Sequence, residues 1–184
     1  ELGIDFLSAS AHKFHGPKGI GFLYASSADF DSYLHGGDQE QKKRAGTENL
    51  AAIVGMVAAL KEDLEQQAEH YQKLEGLKSA FLDEIADLEY YLNESQHQLP
   101  YVVNIGFPGQ KNDLLLLRLD LEGISISTGS ACTAGIVQTS HVLEAFYGPD
   151  SHRLKESVRI SISPLNTEEE LKQLAQTLKN IIGD

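Results

Sequence analysis

The fold of this chain is decided near its start, by the stretch Ser8-Ala9-Ser10-Ala11-His12-Lys13-Phe14-His15-Gly16-Pro17-Lys18-Gly19-Ile20-Gly21. Short apolar runs flank this stretch at residues 4–7 and 20–24, and the pattern predicts a strand, a turn and a second strand. Pro17 presets one backbone angle of the turn, and the glycines on either side permit unusual ones. We therefore expect Lys13 where a strand ends and a constrained loop begins. There the stem of the side chain is fixed and the amine can face a pocket.

Lys13 has the setting of a lysine that reacts with a carbonyl cofactor. Such a lysine needs a fixed stem, and surroundings that keep part of its amine unprotonated. Ser10 and His12 stand beside it and can hydrogen-bond a phosphate. The alternative is a solvated basic turn that only joins two strands, and a His-Lys pair alone would favour that interpretation because short motifs often match by chance.

The ten-residue segment 10–19 is a more specific signal than the pair His12-Lys13 alone. Residues 10–19 match the pattern Ser-x-His-Lys-x-x-Gly-Pro-Lys-Gly throughout. This segment resembles the pyridoxal-phosphate lysine segment of the cysteine desulfurases, in the NifS/IscS-like branch of the class V aminotransferases. The resemblance implies that Lys13 binds the cofactor aldehyde and that Ser10 and His12 lie near the cofactor phosphate.

Composition and charge exclude several other classes of protein. The 184 residues carry a formal net charge of −12 and show no Lys/Arg cluster, which argues against direct nucleic-acid binding. The single cysteine cannot form an internal disulfide, which fits a cytoplasmic location. No stretch is long and apolar enough for a membrane span, no signal peptide is visible, and the histidines lack metal-ligand spacing. Because Glu1 directly precedes a buried-looking strand, we expect an upstream portion to be missing.

A second motif, Arg44-Ala45-Gly46-Thr47-Glu48-Asn49, precedes a helical pattern. Thr47 as a helix cap would set a hydroxyl and backbone N–H groups where anions bind well. A capped helix behind a solvated loop explains the same residues without any ligand. The motif is also typical of the NifS/IscS-like family, and the resemblance implies that Thr47 reaches the cofactor phosphate of the partner subunit in a homodimer, with Arg44 nearby.

Two apolar stripes follow at helical spacing, and we interpret them as core faces. The first predicts a helix from about Glu48 to the late sixties, and the second runs from Leu74 to Leu88. Together they resemble the helical passage from a large domain to a small one, with a boundary near residues 66–72. We therefore divide the chain into residues 1–68 and residues 69–184.

The second part of the chain alternates short elements. Residues 101–107 predict a strand, residues 114–119 a helix capped by Asn112 or Asp113, and residues 124–127 another strand. A short helix is expected over residues 140–146 and a strand over residues 156–163. Residues 167–170, Thr-Glu-Glu-Glu, form the capping box of a last amphipathic helix.

The only cysteine, Cys132, lies in the small-residue segment Ser127-Thr128-Gly129-Ser130-Ala131-Cys132-Thr133-Ala134-Gly135. A lone cysteine is most often a small buried hydrophobe. This composition instead indicates an accessible loop, which a nucleophilic thiol that travels to its substrate would need. The segment resembles the active-site loop of the NifS/IscS-like group, although Thr128 replaces the usual serine.

Arg159 lies in the alternating stretch Val158-Arg159-Ile160-Ser161, where it could simply be an exposed strand charge. In the family that this stretch resembles, the corresponding arginine grips the substrate α-carboxylate, a planar bidentate match. Ser163 departs from the family pattern, which has a glycine after this strand.

Four motifs in the family's order imply a fold-type I enzyme of α/β to α+β class: the end of the large pyridoxal-phosphate domain, then the small α+β domain. The resemblance implies a cysteine desulfurase. Such an enzyme takes sulfur from L-cysteine, releases L-alanine and holds a Cys132 persulfide for an acceptor, such as an iron–sulfur scaffold or thiolation protein. The family's aspartate facing the cofactor ring and its ring-stacking group have no place here, so we expect this segment alone to be inactive.

Two other interpretations fit the same residues. A selenocysteine lyase, or another class V enzyme, would keep the same lysine loop. A non-catalytic interaction module could have kept the motifs by descent.

Overall fold

The structure is a computed structural model, and it describes residues 3–27, 29–95, 97–129 and 139–183. The chain divides into two compact units, Glu1–Ala68 and Glu69–Asp184. Within the described ranges, no helix is both long enough and apolar enough to cross a membrane.

The first unit contains an antiparallel hairpin and the start of a long helix. Strand β1 (Phe6–Ser10) pairs with strand β2 (Gly21–Ala25), and Ser10 lies opposite Gly21. Helix α1 (Leu50–Glu84) begins in this unit and ends in the second. The predicted strand–turn–strand arrangement is confirmed, with β1 shifted toward the lysine relative to the apolar run.

The second unit is a small antiparallel sheet combined with helices. Its strand order is β3-β4-β5, with every neighbouring pair antiparallel. In chain order its further elements are β3 (Tyr91–Leu92), β4 (Val102–Gly106), α2 (Asn112–Leu121), α3 (His141–Tyr147), α4 (Arg153–Glu156), β5 (Ser157–Ser161) and α5 (Glu168–Gly183).

The main hydrophobic cluster belongs to the second unit. One face of β4 and β5 packs with apolar side chains of α1, α2 and α5, because strand residues alternate between faces while each helix presents one stripe. The most deeply buried members are Phe81, Ile85, Val103, Ile105, Phe107, Leu115, Leu119, Val158 and Leu178. The other face of the sheet carries Asn104 and Arg159, which lie directly opposite each other on β4 and β5.

Several local expectations are confirmed and others need correction. The capping box is present, since Thr167 Oγ1 accepts from the Glu170 N–H at 3.3 Å and Glu170 accepts from the Thr167 N–H at 3.0 Å. The two predicted stripes lie on one continuous helix, α1, except for Ile85 and Leu88, which follow the end of the helix at Glu84. Residues 124–127 form no strand beyond a single bridge from Ser127.

Two predicted helix caps are wrong. Asn49 accepts from the Ala52 N–H at 3.2 Å and so caps α1 in place of Thr47, which lies further upstream. Lys111 occupies the cap position of α2, and Asn112 is the first residue of that helix. The Asn112 side chain donates instead to the carbonyls of Leu154 and Ser157, which ties α2 to the start of β5.

Candidate functional site

The Lys13 turn is held by backbone hydrogen bonds that reach across the hairpin. Residues Ala11–Lys13 form one turn of 3-10 helix directly after β1. The Ala11 N–H donates to the Ile20 carbonyl at 3.0 Å, and the Gly16 N–H donates to the Ala11 carbonyl at 2.8 Å. Ala11 is fully buried, so the backbone beneath Lys13 is anchored although the lysine itself is exposed.

The glycine at position 21 is required by the close approach of the two strands. A Cβ at Gly21 would collide with the Ala9 carbonyl oxygen on β1. Any other residue would therefore push β2 away from β1 at the point where the Lys13 turn begins. Glycine, which has no Cβ, thus occupies the position where β1 and β2 approach most closely beside the Lys13 turn.

Ser10, His12 and Lys13 come together in this one turn, and all three side chains are exposed. Among the described residues, none accepts a hydrogen bond or an ion pair from the Lys13 amine. A primary amine beside a hydroxyl and an imidazole is a donor set that suits a ligand with an aldehyde and a phosphate.

The segment before α1 is braced internally. Ser32 Oγ donates to the Lys43 carbonyl at 3.0 Å, and the Lys43 ammonium donates to the Phe30 carbonyl and lies over the Phe30 ring. Arg44 forms a bridge with Leu34. Thr47 is exposed, and within the described chain it makes no hydrogen bond with the Lys13 turn.

Arg159 lies on β5 in the second unit, between two backbone neighbours. It is opposite Asn104 of β4 on one side and forms a bridge with Ser127 on the other. The Arg159 N–H donates to the Ser127 carbonyl at 2.7 Å, and the Ser127 N–H donates to the Arg159 carbonyl at 3.0 Å. Arg159 Nε is buried and has no hydrogen-bond partner within the described chain.

The polar face of the sheet carries a row of four polar residues in register. Asn93 follows β3 and its N–H donates to the Asn104 carbonyl, so the row runs Asn93, Asn104, Arg159 and Ser127. Directly opposed residues share a sheet face. We name these four residues the polar row. Ser127 ends it five positions before Cys132, and Cys132 itself lies outside the described residues.

A stacked cation supports one end of the polar row. The Arg153 guanidinium lies 4.1 Å from the centre of the Tyr91 ring and 4.5 Å from that of Tyr147. The Tyr91 hydroxyl donates to Glu156 at 3.2 Å. Burial raises the pKa of Tyr91 above its ordinary value; a hydrogen bond with Ser157 opposes this rise, and the Glu156 charge adds to it.

Three residues of this site were not predicted from the sequence: Asn93, Asn104 and Arg153. Asn104 interrupts an otherwise apolar strand, and that polar position within residues 101–107 was a usable signal. Asn93 and Arg153 lie in polar stretches without periodicity, so no pattern distinguished them from solvated residues.

Comparison with known proteins gives consistent matches along the chain. The family model described as Aminotransferase class-V matches residues 1–174. A protein of Bacillus subtilis (strain 168) named putative cysteine desulfurase IscS 1 is 45% identical over 97% of this chain. A protein of Dictyoglomus turgidum named cysteine desulfurase IscS is 39% identical over 99% of it. The chain spans about half the length of these curated relatives, 48% and 47%.

Solved structures match the fold over the same extent. A NifS-like protein has a TM-score of 0.86 and 32% identity, and the match covers 100% of this chain and 47% of that one. A NifS-like protein from Rickettsia africae has a TM-score of 0.85 and 27% identity, over 100% of this chain and 49% of that one. These matches confirm the predicted fold class.

Proposed function

The chain belongs to the class-V aminotransferase family, and on that premise we propose that the whole protein containing it is a pyridoxal-phosphate-dependent cysteine desulfurase. Its substrate is L-cysteine, and its products are L-alanine and a persulfide on Cys132. Residues 1–68 are then the end of the large domain with the linking helix, and residues 69–184 are the small domain.

The observation that carries this proposal is the position of Arg159. Its Nε is buried without a partner in the described chain, and its backbone is paired with Ser127 at the start of the cysteine segment. A guanidinium with unused donors is a ready partner for a planar carboxylate. A carboxylate held there would bring the rest of an amino acid close to the segment that carries Cys132.

The Lys13 turn supplies the residues for the cofactor. Lys13 would bind the cofactor aldehyde, while Ser10 and His12, and Thr47 from the partner subunit of a homodimer, would hold the phosphate. Pyridoxal 5′-phosphate, when bound, supplies an electron sink for the bonds at the substrate carbons. The free amine of Lys13 would move protons at the substrate α- and β-carbons.

Cys132 takes the sulfur in this scheme. Its thiolate attacks the sulfur of L-cysteine, a sulfur–sulfur bond forms, and the bond from that sulfur to the β-carbon breaks. The β-carbon keeps the electron pair and is protonated, which gives alanine. The persulfide sulfur then passes to an acceptor protein of iron–sulfur or thiolation chemistry in the cytoplasm.

The test uses the whole protein containing this chain, incubated with L-cysteine and the cofactor. We expect stoichiometric alanine and a one-sulfur mass increase on the peptide with Cys132. Borohydride reduction should attach the pyridoxyl group to Lys13. Cys132→Ser and Lys13→Ala should each abolish alanine formation, and Arg159→Ala should raise KM for L-cysteine.

Lys18→Ala is the matched control, because Lys18 is a second exposed lysine in the same loop and should be dispensable. Undiminished alanine formation by Lys13→Ala would overturn the proposal. A much higher kcat/KM for selenocysteine than for L-cysteine would support the selenocysteine lyase alternative instead.

A further inference from the structure

Resting on the proposed function, we propose that Asn104 is a second ligand of the substrate carboxylate, beside Arg159, and that Arg153 and Asn93 set the orientation of its amide. The site is then a two-residue carboxylate clamp on the polar face of the sheet. All four residues lie in the second unit.

The strand register brings the two ligands together. Asn104 and Arg159 are directly opposed on β4 and β5 and share the polar face. The Cβ atoms of such a pair are about 5 Å apart, close enough for both side chains to reach one carboxylate. Their apolar neighbours, Val103 and Ile160, face the core.

The chemistry of the hydrogen bonds fixes which end of the Asn104 amide is presented. Arg153 can only donate, so the Asn93 oxygen must face it, and Arg153 Nη1 does lie 3.4 Å from Asn93 Oδ1. The Asn93 NH2 group therefore faces the other way and donates to Asn104 Oδ1 at 2.8 Å. Since the oxygen of Asn104 is used in this way, its NH2 group is left as a donor for another partner.

The same bonds make this orientation resistant to flipping. The second N–H of Asn93 donates to Ser157 Oγ at 2.8 Å, so each polar atom of its amide has a partner. Arg153 is itself held between the rings of Tyr91 and Tyr147. Arg153, fixed by the two rings, thus determines the orientation of the Asn93 amide and, through it, that of the Asn104 amide.

The consequence is a preference for substrates that carry a carboxylate. Arg159 supplies the charge and Asn104 supplies an additional N–H, so an anion gains from both whereas an amine without a carboxylate gains from neither. Losing one hydrogen bond to a charged group weakens binding by about 10- to 100-fold.

The experiment compares two competitive inhibitors of the whole protein, L-alanine and its decarboxylated counterpart ethylamine. Asn104→Ala should weaken inhibition by L-alanine, and raise KM for L-cysteine, by about tenfold or more, with inhibition by ethylamine unchanged. Asn104→Asp keeps the shape and the acceptor for Asn93 but replaces the donor with a negative charge, so its loss should be larger. Asn180→Asp adds the same charge at an exposed position of α5 and should change neither value.

The orientation is tested without altering Asn104. In Asn93→Asp the new carboxylate still accepts from Arg153 but cannot donate, so the Asn104 amide turns its NH2 group toward it. This variant should reproduce the selective loss of L-alanine inhibition while the melting temperature is kept. A purely structural role of Asn93 would instead weaken L-alanine and ethylamine equally.

Arg159→Ala separates this proposal from the proposed function. If Arg159→Ala weakens L-alanine inhibition while the Asn104 variants do not, Asn104 is no ligand and the desulfurase proposal stands. If Arg159→Ala also has no effect, the carboxylate site is elsewhere and both proposals fail. Equal weakening of both inhibitors in Asn104→Asp would likewise overturn the role of Asn104.

Discussion

Gly106 shows how a single residue on the polar face controls the arrangement around it. A Cβ at this position would collide with the ring of Tyr91, which lies across Gly106 from the neighbouring strand β3. The same ring stacks on Arg153, and the Tyr91 hydroxyl donates to Glu156. A side chain at position 106 would therefore displace the cation that orients the polar row.

We predict that Gly106→Ala lowers the free energy of unfolding by about 1–3 kcal/mol, the usual cost of overpacking a filled site. The measurement is chemical denaturation of the 184-residue chain. Gly76→Ala is the control, because nothing lies near its added Cβ and alanine favours a helix, so it should be neutral or slightly stabilising. A Gly106→Ala chain as stable as the original would contradict the assigned contact.

For single residues, the sequence predicts positions within local motifs but not the relations between distant side chains. The position of Lys13 directly after a strand and of Arg159 on a strand could be anticipated, because each stands in a contiguous stretch with a clear local pattern. The relation between Asn93, Asn104 and Arg153 could not, because it depends on strand register and on a cation stacked between rings distant in sequence. A one-residue change in the register of β4 would move Asn104 to the opposite face.

A partly buried ion pair between Lys78 and Glu94 joins helix α1 to the segment after β3. The side chains of Lys78 and Glu94 are only 15% and 28% exposed. Burial by itself would raise the pKa of Glu94, but the hydrogen bond and charge of Lys78, together with Gln98, outweigh it and hold this pKa below its ordinary value. The carboxylate is thus more stable in the folded chain than in the unfolded one.

The sign of the resulting pH dependence follows from that lowered pKa. The stabilisation is fully present above the ordinary glutamate pKa, about 4.3, and is lost as the pH falls through the lower folded value. We predict that Lys78→Met removes part of the acid-induced fall in melting temperature between about pH 5 and pH 3.

The control for this measurement is Lys172→Met, which removes the ion-pair partner of Glu168 on α5. The side chains of Lys172 and Glu168 are 53% and 61% exposed. Such exposed pairs contribute little, so its pH profile should match that of the original chain. Parallel profiles for Lys78→Met and the original chain would refute the assigned coupling between α1 and Glu94.

The start of helix α5 could be predicted from the sequence, whereas the continuity of helix α1 could not. The start of α5 could be located from four residues, because a capping box is a local device whose partners are three positions apart. The continuity of α1 could not, because the change of its apolar stripe near residues 66–72 reflects which unit each half packs in. The spacing of apolar residues along the helix does not show which unit each part of it packs in.

The two units differ in how much of their apolar surface is covered. The main cluster of buried side chains belongs entirely to the second unit, where β4 lies between β3 and β5. Among the described residues of the first unit, β1 and β2 form a two-stranded sheet, and large side chains such as Phe6 and Leu23 are each 54% exposed. An isolated two-stranded hairpin is at best marginally stable in water.

This contrast predicts a difference in local opening across the 184-residue chain. Strands β1 and β4 are both five residues long, so their backbone amides form a matched comparison by hydrogen exchange. Opening free energies range from about zero at poorly packed elements to the global value in a core, so we expect β1 amides to exchange about a hundredfold faster or more. Equal protection of β1 and β4 would show that the hairpin is stabilised by something other than its own packing.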